Sequence, residues 1–356
     1  MRPFAGRAAV AGVGMTALSR RSGRSERELA AAACRAACAD AGVAPREVDA
    51  LLSYHMNDSA PVVQVARALG IERLGWHNDI AGGGTQAASI LGDAALLIEA
   101  GLARHVLVYR ALNGRSGRRM NAVSTGPQEE FTYGMAGPIP MFALAATRYL
   151  HDTGLTAEHL HAVVDQSRRN GAGNPRALRR EPLTLDGYLA RPYVCTPLRT
   201  ADCCQETDGA CALLVSGALG GPRVRAVVRG GGPGCSAMDR AADVTAIFSA
   251  YVAPMLWEAS GMKPRDVDAM LPYDAYSWLV PRQLEDFGLV ERGDLGAYLL
   301  ERRHAWVNPH GGLLSEGYVH GLNNVAQAVR ELRAGAGTAL VTGFGGSYGS
   351  AALLTW

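Results

Sequence analysis

One lysine among the 35 Lys+Arg residues narrows the chemistry at once. A Schiff-base enzyme would have to use Lys263. It lies in Gly261-Met262-Lys263-Pro264-Arg265-Asp266, which reads as an exposed turn. Arginine stays protonated and cannot take its place. The seven cysteines (Cys34, Cys38, Cys195, Cys203, Cys204, Cys211 and Cys235) are odd in number and contain no CxxC. Neither a disulfide framework nor a cysteine zinc site is expected. Cys203-Cys204 invites a nucleophile reading. The expectation is instead inert core thiols, with Asp208-Gly209-Ala210 turning the chain into a strand over 211–216. That expectation also removes Glu206 and Asp208 as an acid–base pair. His159 and His161 follow a helix N-cap at Thr156. At i, i+2 they face apart and have no further ligand at suitable spacing, so no metal site is expected. The run Gly82-Gly83-Gly84 lacks the spacing of G-x-G-x-x-G and a downstream acidic residue, which argues against a nucleotide cofactor. Arg115, Arg118 and Arg119 could meet phosphates, but the expectation is a solvated loop.

The length of 356 residues suits two domains, or one large body made of two halves. The 35 basic and 33 acidic residues leave a net charge of +2, with no polybasic face for nucleic acid. Hydrophobic residues make up 48%, enough for a large core. Glycine is frequent, 43 of 356 residues, without a collagen period, so glycines are expected at turns and close backbone approaches. There is no signal-peptide core and no apolar run of the roughly 18 residues a membrane span needs. The expected compartment is the cytoplasm.

The elements that must position these residues come as a repeat. Gly42-Val-Ala-Pro-Arg-Glu-Val-Asp-Ala-Leu51 and Gly261-Met-Lys-Pro-Arg-Asp-Val-Asp-Ala-Met270 share one pattern at an offset of 219, which sets Tyr54 on Tyr273. Val62 to Gly70 matches Val280 to Gly288 with a one-residue gap. A second pair follows in the same order: Gly82-Gly83-Gly84 opens a helix and then a strand over 105–109, and Gly311-Gly312 opens a helix and then a strand over 338–342. The chain therefore reads as two α/β halves, about 1–222 and 223–356. The first carries an insertion, about 113–195, mostly irregular, with one helix from about Met141 to Thr153. Alternating strands and helices predict a mostly parallel, buried sheet.

Four motifs carry a family resemblance. They are Tyr109-Arg-Ala-Leu-Asn-Gly-Arg-Ser-Gly117, Asp202-Cys-Cys-Gln-Glu-Thr-Asp-Gly-Ala210, Tyr273-Asp274, and Asn308-Pro-His-Gly-Gly312 followed by Glu316-Gly-Tyr-Val-His-Gly-Leu-Asn323. With the two halves, they resemble the thiolase superfamily, and more narrowly its lipid-transfer-protein branch, which includes steroid side-chain-cleaving aldolases. The resemblance implies a five-layer α-β-α-β-α body with its active site between the halves. Thiolase chemistry needs a nucleophilic cysteine, a G-H-P histidine and a second cysteine. Here Ala81, Tyr318 and Gly343 stand at those places, so no acyl-cysteine intermediate can form there.

A retro-aldol split of a β-hydroxyacyl-CoA needs no covalent intermediate. It needs a proton acceptor for the β-hydroxyl and donors for the thioester enolate. The resemblance makes Tyr318 the leading catalytic residue and carries over Tyr273. The family's histidine in Tyr-Asp-His-Phe falls on Ala275, and Tyr276, His320 or Tyr348 could stand in for it. His310 could orient the active-site loop, donate to the enolate or cap the loop. His320 could polarise the Tyr318 phenol, although i and i+2 point apart on a helix. Gly82, Gly83, Gly84, Gly311, Gly312 and Asn308 are the expected substrate-binding positions, where backbone approaches an acyl thioester. No cofactor is expected beyond the CoA of the substrate. The resemblance implies a homodimer and a small zinc-ribbon/OB-fold partner. Two rivals remain at this point: a non-catalytic acyl-CoA or lipid-binding subunit or scaffold, and an aldol or acyl-transfer enzyme of secondary metabolism.

Overall fold

A computed structural model describes residues 4, 6–117, 119, 131–135, 137–232 and 242–356. Arg118 and Cys235 lie outside the described residues.

The repeat in sequence is a repeat in conformation. Helix α1 (Glu26–Ala41) starts at a Ser25–Glu28 capping box and ends at Gly42, φ 68°. The helix of the second half that precedes the same motif, Phe248–Ser260, ends at Gly261, also φ 68°. Glycine carries the left-handed conformation at no steric cost. Each copy then makes one 3₁₀ turn, in which an acidic side chain three residues on takes a backbone N–H: Glu47 from Ala44 and Asp266 from Lys263, both at 2.8 Å. Lys263 is exposed, as its turn predicts. Each copy continues into a strand, β2 (Ala50–His55) or Ala269–Leu271, and a helix, α2 (Val62–Leu69) or Leu279–Asp286.

In chain order the remaining elements of the first half are β1 (Ala9–Met15), β3 (Trp76–Ala81), α3 (Gln86–Glu99) and β4 (His105–Asn113). The insertion holds α4 (Ile139–Thr153), α5 (Ala157–Ala172), α6 (Leu185–Leu189), and the short strands β5 (Tyr193–Cys195) and β6 (Leu198–Arg199). Then come β7 (Asp208–Ser216), β8 (Arg223–Gly231), α7 (Phe248–Ser260), β9 (Ala269–Leu271) and α8 (Leu279–Asp286). The chain ends with α9 (Leu295–Leu300), α10 (Gly312–Ser315), α11 (Leu322–Arg333), β10 (Thr338–Phe344) and β11 (Tyr348–Thr355). The strand order is β3-β2-β4-β7-β1-β8-β11-β10-β9. The two sub-sheets meet through one residue pair, Ala9 with Arg223.

Two expectations are corrected here. The sheet is mixed: β2–β3, β2–β4 and β9–β10 are parallel, whereas β1–β7, β4–β7, β8–β11 and β10–β11 are antiparallel. Only three residues separate β10 from β11, too few for the crossover that parallel pairing needs. The insertion is also more helical than expected. Helix α5 escapes an apolar-stripe reading because its buried face includes Asp165, Gln166 and Ser167.

The layers are those the resemblance implied. Helices α1 and α2 cover the outer face of the first sub-sheet and α7 that of the second, with α8 packed against α7. Helices α3 and α11 lie between the two sub-sheets and touch both. A helix packed on two sides must be apolar nearly all round, and α3 is, with Ala87, Ala88, Ile90, Leu91, Ala94, Ala95, Leu97 and Ile98 all buried. Strand β4, covered on both faces, is a continuous apolar run broken by one charge, Arg110, which is fully buried. Among the described residues no helix is long and apolar enough to cross a membrane.

Candidate active site

Two tyrosines from different loops meet between the sub-sheets. Tyr273 follows β9, and Tyr318 follows α10 after Gly317, whose φ is 142°. Their hydroxyls lie 2.7 Å apart and their rings meet edge to face. Each backbone is pinned: the Tyr273 N–H donates to Thr342 Oγ1 at 2.8 Å, and the Tyr318 N–H to Thr207 Oγ1 at 3.1 Å. Burial pushes both phenols well above their ordinary pKa. Both are therefore neutral at pH 7, sharing one hydrogen bond.

The pair borders a cavity of about 370 Å³. Gly82, Gly83, Gly84, Thr85, His320 and Tyr348 form its polar and backbone side, and Met56, Phe142, Ala275, Tyr276 and Phe344 its apolar side. The tight spot is Gly84, because a Cβ there would overlap the Tyr273 phenol. We expect Gly84→Ala to displace that ring and to cost about 1–3 kcal/mol of stability, the usual range for overpacking. A fall in kcat larger than the shift in melting temperature explains would check it; unchanged kcat would show that Tyr273 has no fixed role.

The structure sorts the expected site residues. Tyr318, Tyr273, His320, Tyr348 and the three glycines 82–84 converge on the cavity. His310, Asn308, Gly311 and Gly312 do not line it. They form a layer behind it. Gly312 packs against Asp274 and Asn308 so closely that no Cβ fits. Asp274 takes the Leu313 and Leu314 backbone N–H groups, and burial raises its carboxyl to about 7. The His310 Nε2–H donates to Asn324 Oδ1 at 3.2 Å, and burial lowers its pKa. Its geometry favours the loop-orienting option.

The expected opposition of positions 318 and 320 is also overturned. The segment is not helical: His320 has φ 47°, and its ring stands edge-on to Tyr318 with centroids 4.8 Å apart. Arg110, which donates to that histidine and in turn to Asp58, holds it from behind; sequence reasoning left Arg110 and Asp58 unassigned. The signal for Arg110 was present, a lone cation inside the apolar run of β4.

Cys203 and Cys204 line the cavity wall rather than a sealed core. Burial raises Cys203 to about 12 and Cys204 well above its ordinary value, so neither is a thiolate nucleophile. Glu206 pairs with Arg119 at 2.6 Å, while Asp208 takes the Ser22, Arg115 and Ser116 backbone N–H groups. They are not an acid–base pair. A cysteine side chain does not fit at Gly343 either, where a Cβ would lie 2.5 Å from the Gly84 carbonyl and 2.7 Å from Ser350 Oγ. His159 bonds to its own N-cap and His161 to the Leu183 carbonyl. Among the described residues no group of three or more side chains could hold a metal ion.

Of the arginine cluster, Arg115 and Arg119 are exposed, in keeping with the solvated-loop expectation, and they also border a cleft. Beyond the cysteine wall, Arg20, Arg115, Arg119 and Arg179 line a cleft of about 310 Å³. It adjoins a second, about 280 Å³, lined by Arg20, Arg168, Arg179 and Arg191. Arg20, Arg168 and Arg191 have no ion-pair partner among the described residues.

A two-half, five-layer body with its site between the halves defines a thiolase-fold protein, and at the two positions that the resemblance matches to the thiolase cysteines it carries Ala81 and Gly343. Residues 234–354 match the family described as "Thiolase C-terminal domain-like". The chain is 35% identical to the 17-hydroxy-3-oxo-4-pregnene-20-carboxyl-CoA lyase of Mycobacterium tuberculosis, covering 93% of this chain and 92% of that one. It is 34% identical to the steroid side-chain-cleaving aldolase of Thermomonospora curvata, covering 94% and 92%. A solved structure titled "Ltp2-ChsH2(DUF35) aldolase" superposes with a TM-score of 0.91 at 33% identity, covering 99% and 98%. The chain belongs to the thiolase superfamily, in the branch of the steroid side-chain-cleaving aldolases.

Proposed function

We propose that the protein is an aldolase that splits a bulky β-hydroxyacyl-CoA, of which a steroid side chain is one candidate. The observation that carries this reading is the pair of neutral phenols, 2.7 Å apart, at a cavity that lacks any activated nucleophile. The reaction is proton-neutral. The Cα–Cβ bond breaks, the β-oxygen becomes a carbonyl and loses its proton, and the α carbon of the enolate gains one. Two touching phenols can carry that proton. Tyr318 accepts it from the β-hydroxyl as it passes its own to Tyr273, and Tyr273 delivers to the α carbon. No phenolate is needed at rest, so burial, which disfavours ionisation, does not disable the site.

The apolar side formed by Met56, Phe142 and Phe344 suits a bulky acyl group. The arginine-lined clefts behind Cys203 and Cys204 suit the phosphates of CoA, which guanidinium groups bind in bidentate fashion. The reading includes no cofactor. It includes a homodimer joined at sheet edges, for which the exposed strand β3 at the end of the sheet is the natural face. The solved relative is titled as an aldolase of two named components, which supports a partner protein here; that the partner is a small zinc-ribbon/OB-fold protein is what the family resemblance implies.

The test is purification of the full chain with its partner, followed by assay of a β-hydroxyacyl-CoA for ketone and shortened acyl-CoA. Failure to split any such thioester would leave a carrier or scaffold role. Two further outcomes are expected. No radiolabelled acyl group remains on protein after a denaturing quench, since Ala81 and Gly343 carry no thiol. And kcat does not climb tenfold per pH unit toward pH 9, because the phenols stay protonated there; a unit slope would mean that an ionised phenol acts.

A further inference from the structure

Arg110 fixes the proton on His320. Its Nε lies 3.1 Å and its Nη2 2.7 Å from His320 Nδ1. A guanidinium only donates, so Nδ1 must present its lone pair. The imidazole is then neutral and its hydrogen is on Nε2. That Nε2–H is buried without a hydrogen-bond partner, and His320 lines the cavity beside Gly83, whose added Cβ would stand 3.6 Å from His320 Cε1. A buried donor with nothing to bond to marks a place where an acceptor is expected to arrive.

The clamp is complete on every side. Tyr54 donates from its hydroxyl to the His320 carbonyl at 2.9 Å. Arg110 lies over the Tyr54 ring, 5.7 Å from its centroid, and donates from Nη1 to the Ala111 carbonyl at 2.6 Å. Asp58 balances its charge through Nη2 at 2.6 Å. Burial first, and then the neighbouring Arg110 charge, lower the His320 pKa, which agrees with a ring that stays neutral.

We infer that His320 is a neutral hydrogen-bond donor from Nε2 to the thioester oxygen of the acyl-CoA as it becomes an enolate, with Arg110 as the positioning residue that sets its tautomer. This rests on the aldolase reading above. A fixed, desolvated donor aimed where charge develops strengthens in the transition state and needs no reorganisation. The proton relay and the oxyanion site are then separate parts: the tyrosine pair handles the β-oxygen and the α carbon, and His320 handles the thioester oxygen.

Two measurements decide it, both on the full chain with any partner that co-purifies. In ¹⁵N-histidine NMR, His320 is expected as the neutral Nε2–H tautomer from pH 6 to 8. Adding propionyl-CoA as a thioester probe should shift Nε2 and leave Nδ1 bonded as before. A proton on Nδ1, a charged ring, or no response at Nε2 would overturn the inference, and none of these depends on a variant folding. In kinetics, His320→Met is expected to lose about 10²–10³ in kcat with KM within about threefold, the range for losing one oxyanion donor. His320→Gln keeps an oxygen for Arg110 and an N–H for the cavity, and should recover to within about tenfold of wild type. A folded His320→Met protein with wild-type kcat would overturn the inference. Arg110→Gln should release the tautomer, visible as a second histidine form in the spectrum; an unchanged spectrum would remove Arg110 from its role. If the wild-type protein splits no β-hydroxyacyl-CoA, the aldolase reading fails by itself, and the NMR response to propionyl-CoA still decides the donor.

Discussion

Tyr318→Phe is expected to lower kcat by about 10²–10⁴, or about 3–5 kcal/mol of barrier, while the protein folds normally. The substitution removes one hydroxyl and keeps a ring that packs edge-on against both Tyr273 and His320. The Tyr318 backbone stays tied to Thr207, through its N–H and through its carbonyl at 2.7 Å. What disappears is the inner link of the proton path. KM should move little, because the hydroxyl acts mainly as the proton moves. Tyr273→Phe breaks the same path at its other link and should fall by a similar factor. A small loss for Tyr273→Phe beside a large one for Tyr318→Phe would reduce Tyr273 to an orienting role. A Tyr318→Phe protein with wild-type kcat and an unchanged melt would remove the relay, and a carrier function would then lead.

What the sequence made legible follows from how locally each feature is encoded. The repeat was readable because glycines in a left-handed conformation, such as Gly42 and Gly261, and turn acids, such as Glu47 and Asp266, act within a few residues of chain. The cysteine losses at 81 and 343 and the tyrosine at 318 were readable for the same reason, as motif positions. The Tyr273–Tyr318 contact joins residues 45 apart, and the link from Arg110 to His320 spans 210. No local spacing announces such pairs. The objection to a Tyr318–His320 contact applied only to a helical 318–320, whereas Gly317 and Gly321, with φ 142° and 83°, turn the chain there. Asn308, Gly311 and Gly312, expected at the substrate, stand in the layer behind the cavity with left-handed backbone, φ 46°, 100° and 59°. Their special backbone serves Asp274 and the layer behind the cavity, and sequence cannot tell one side of a loop from the other.

That layer has its own keystone, and its loss should be the largest stability effect in the site. Glu316 is fully buried, two residues before Tyr318. Its Oε1 accepts from Asn174 Nδ2 at 3.0 Å and Arg176 Nε at 2.9 Å, and its Oε2 from Asn323 Nδ2 at 2.9 Å, with His310 Nε2 at 3.6 Å. It thereby ties the insertion to the loop that carries Tyr318. Glu316→Ala strands these donors. Breaking a buried ion pair from one side costs about 3–5 kcal/mol. The lower end, about 3 kcal/mol, is expected because Arg176 is 32% exposed and can turn to water. The melting temperature should fall by several degrees. Burial alone would raise the Glu316 pKa, but His310, Asn323, Asn174 and Arg176 together outweigh it and hold it below the ordinary value. A carboxyl depressed in the fold adds stability above its unfolded pKa, near 4.3, and loses it as pH falls through the folded value. Glu316→Gln cannot ionise, so its deficit against wild type should be largest at neutral pH and shrink below about pH 4. Denaturant titrations of the two proteins from pH 7 to pH 3 measure that difference directly. A deficit that stays constant across the range would show that the carboxylate's charge contributes nothing, and that Glu316 holds the Tyr318 loop by shape and neutral hydrogen bonds alone.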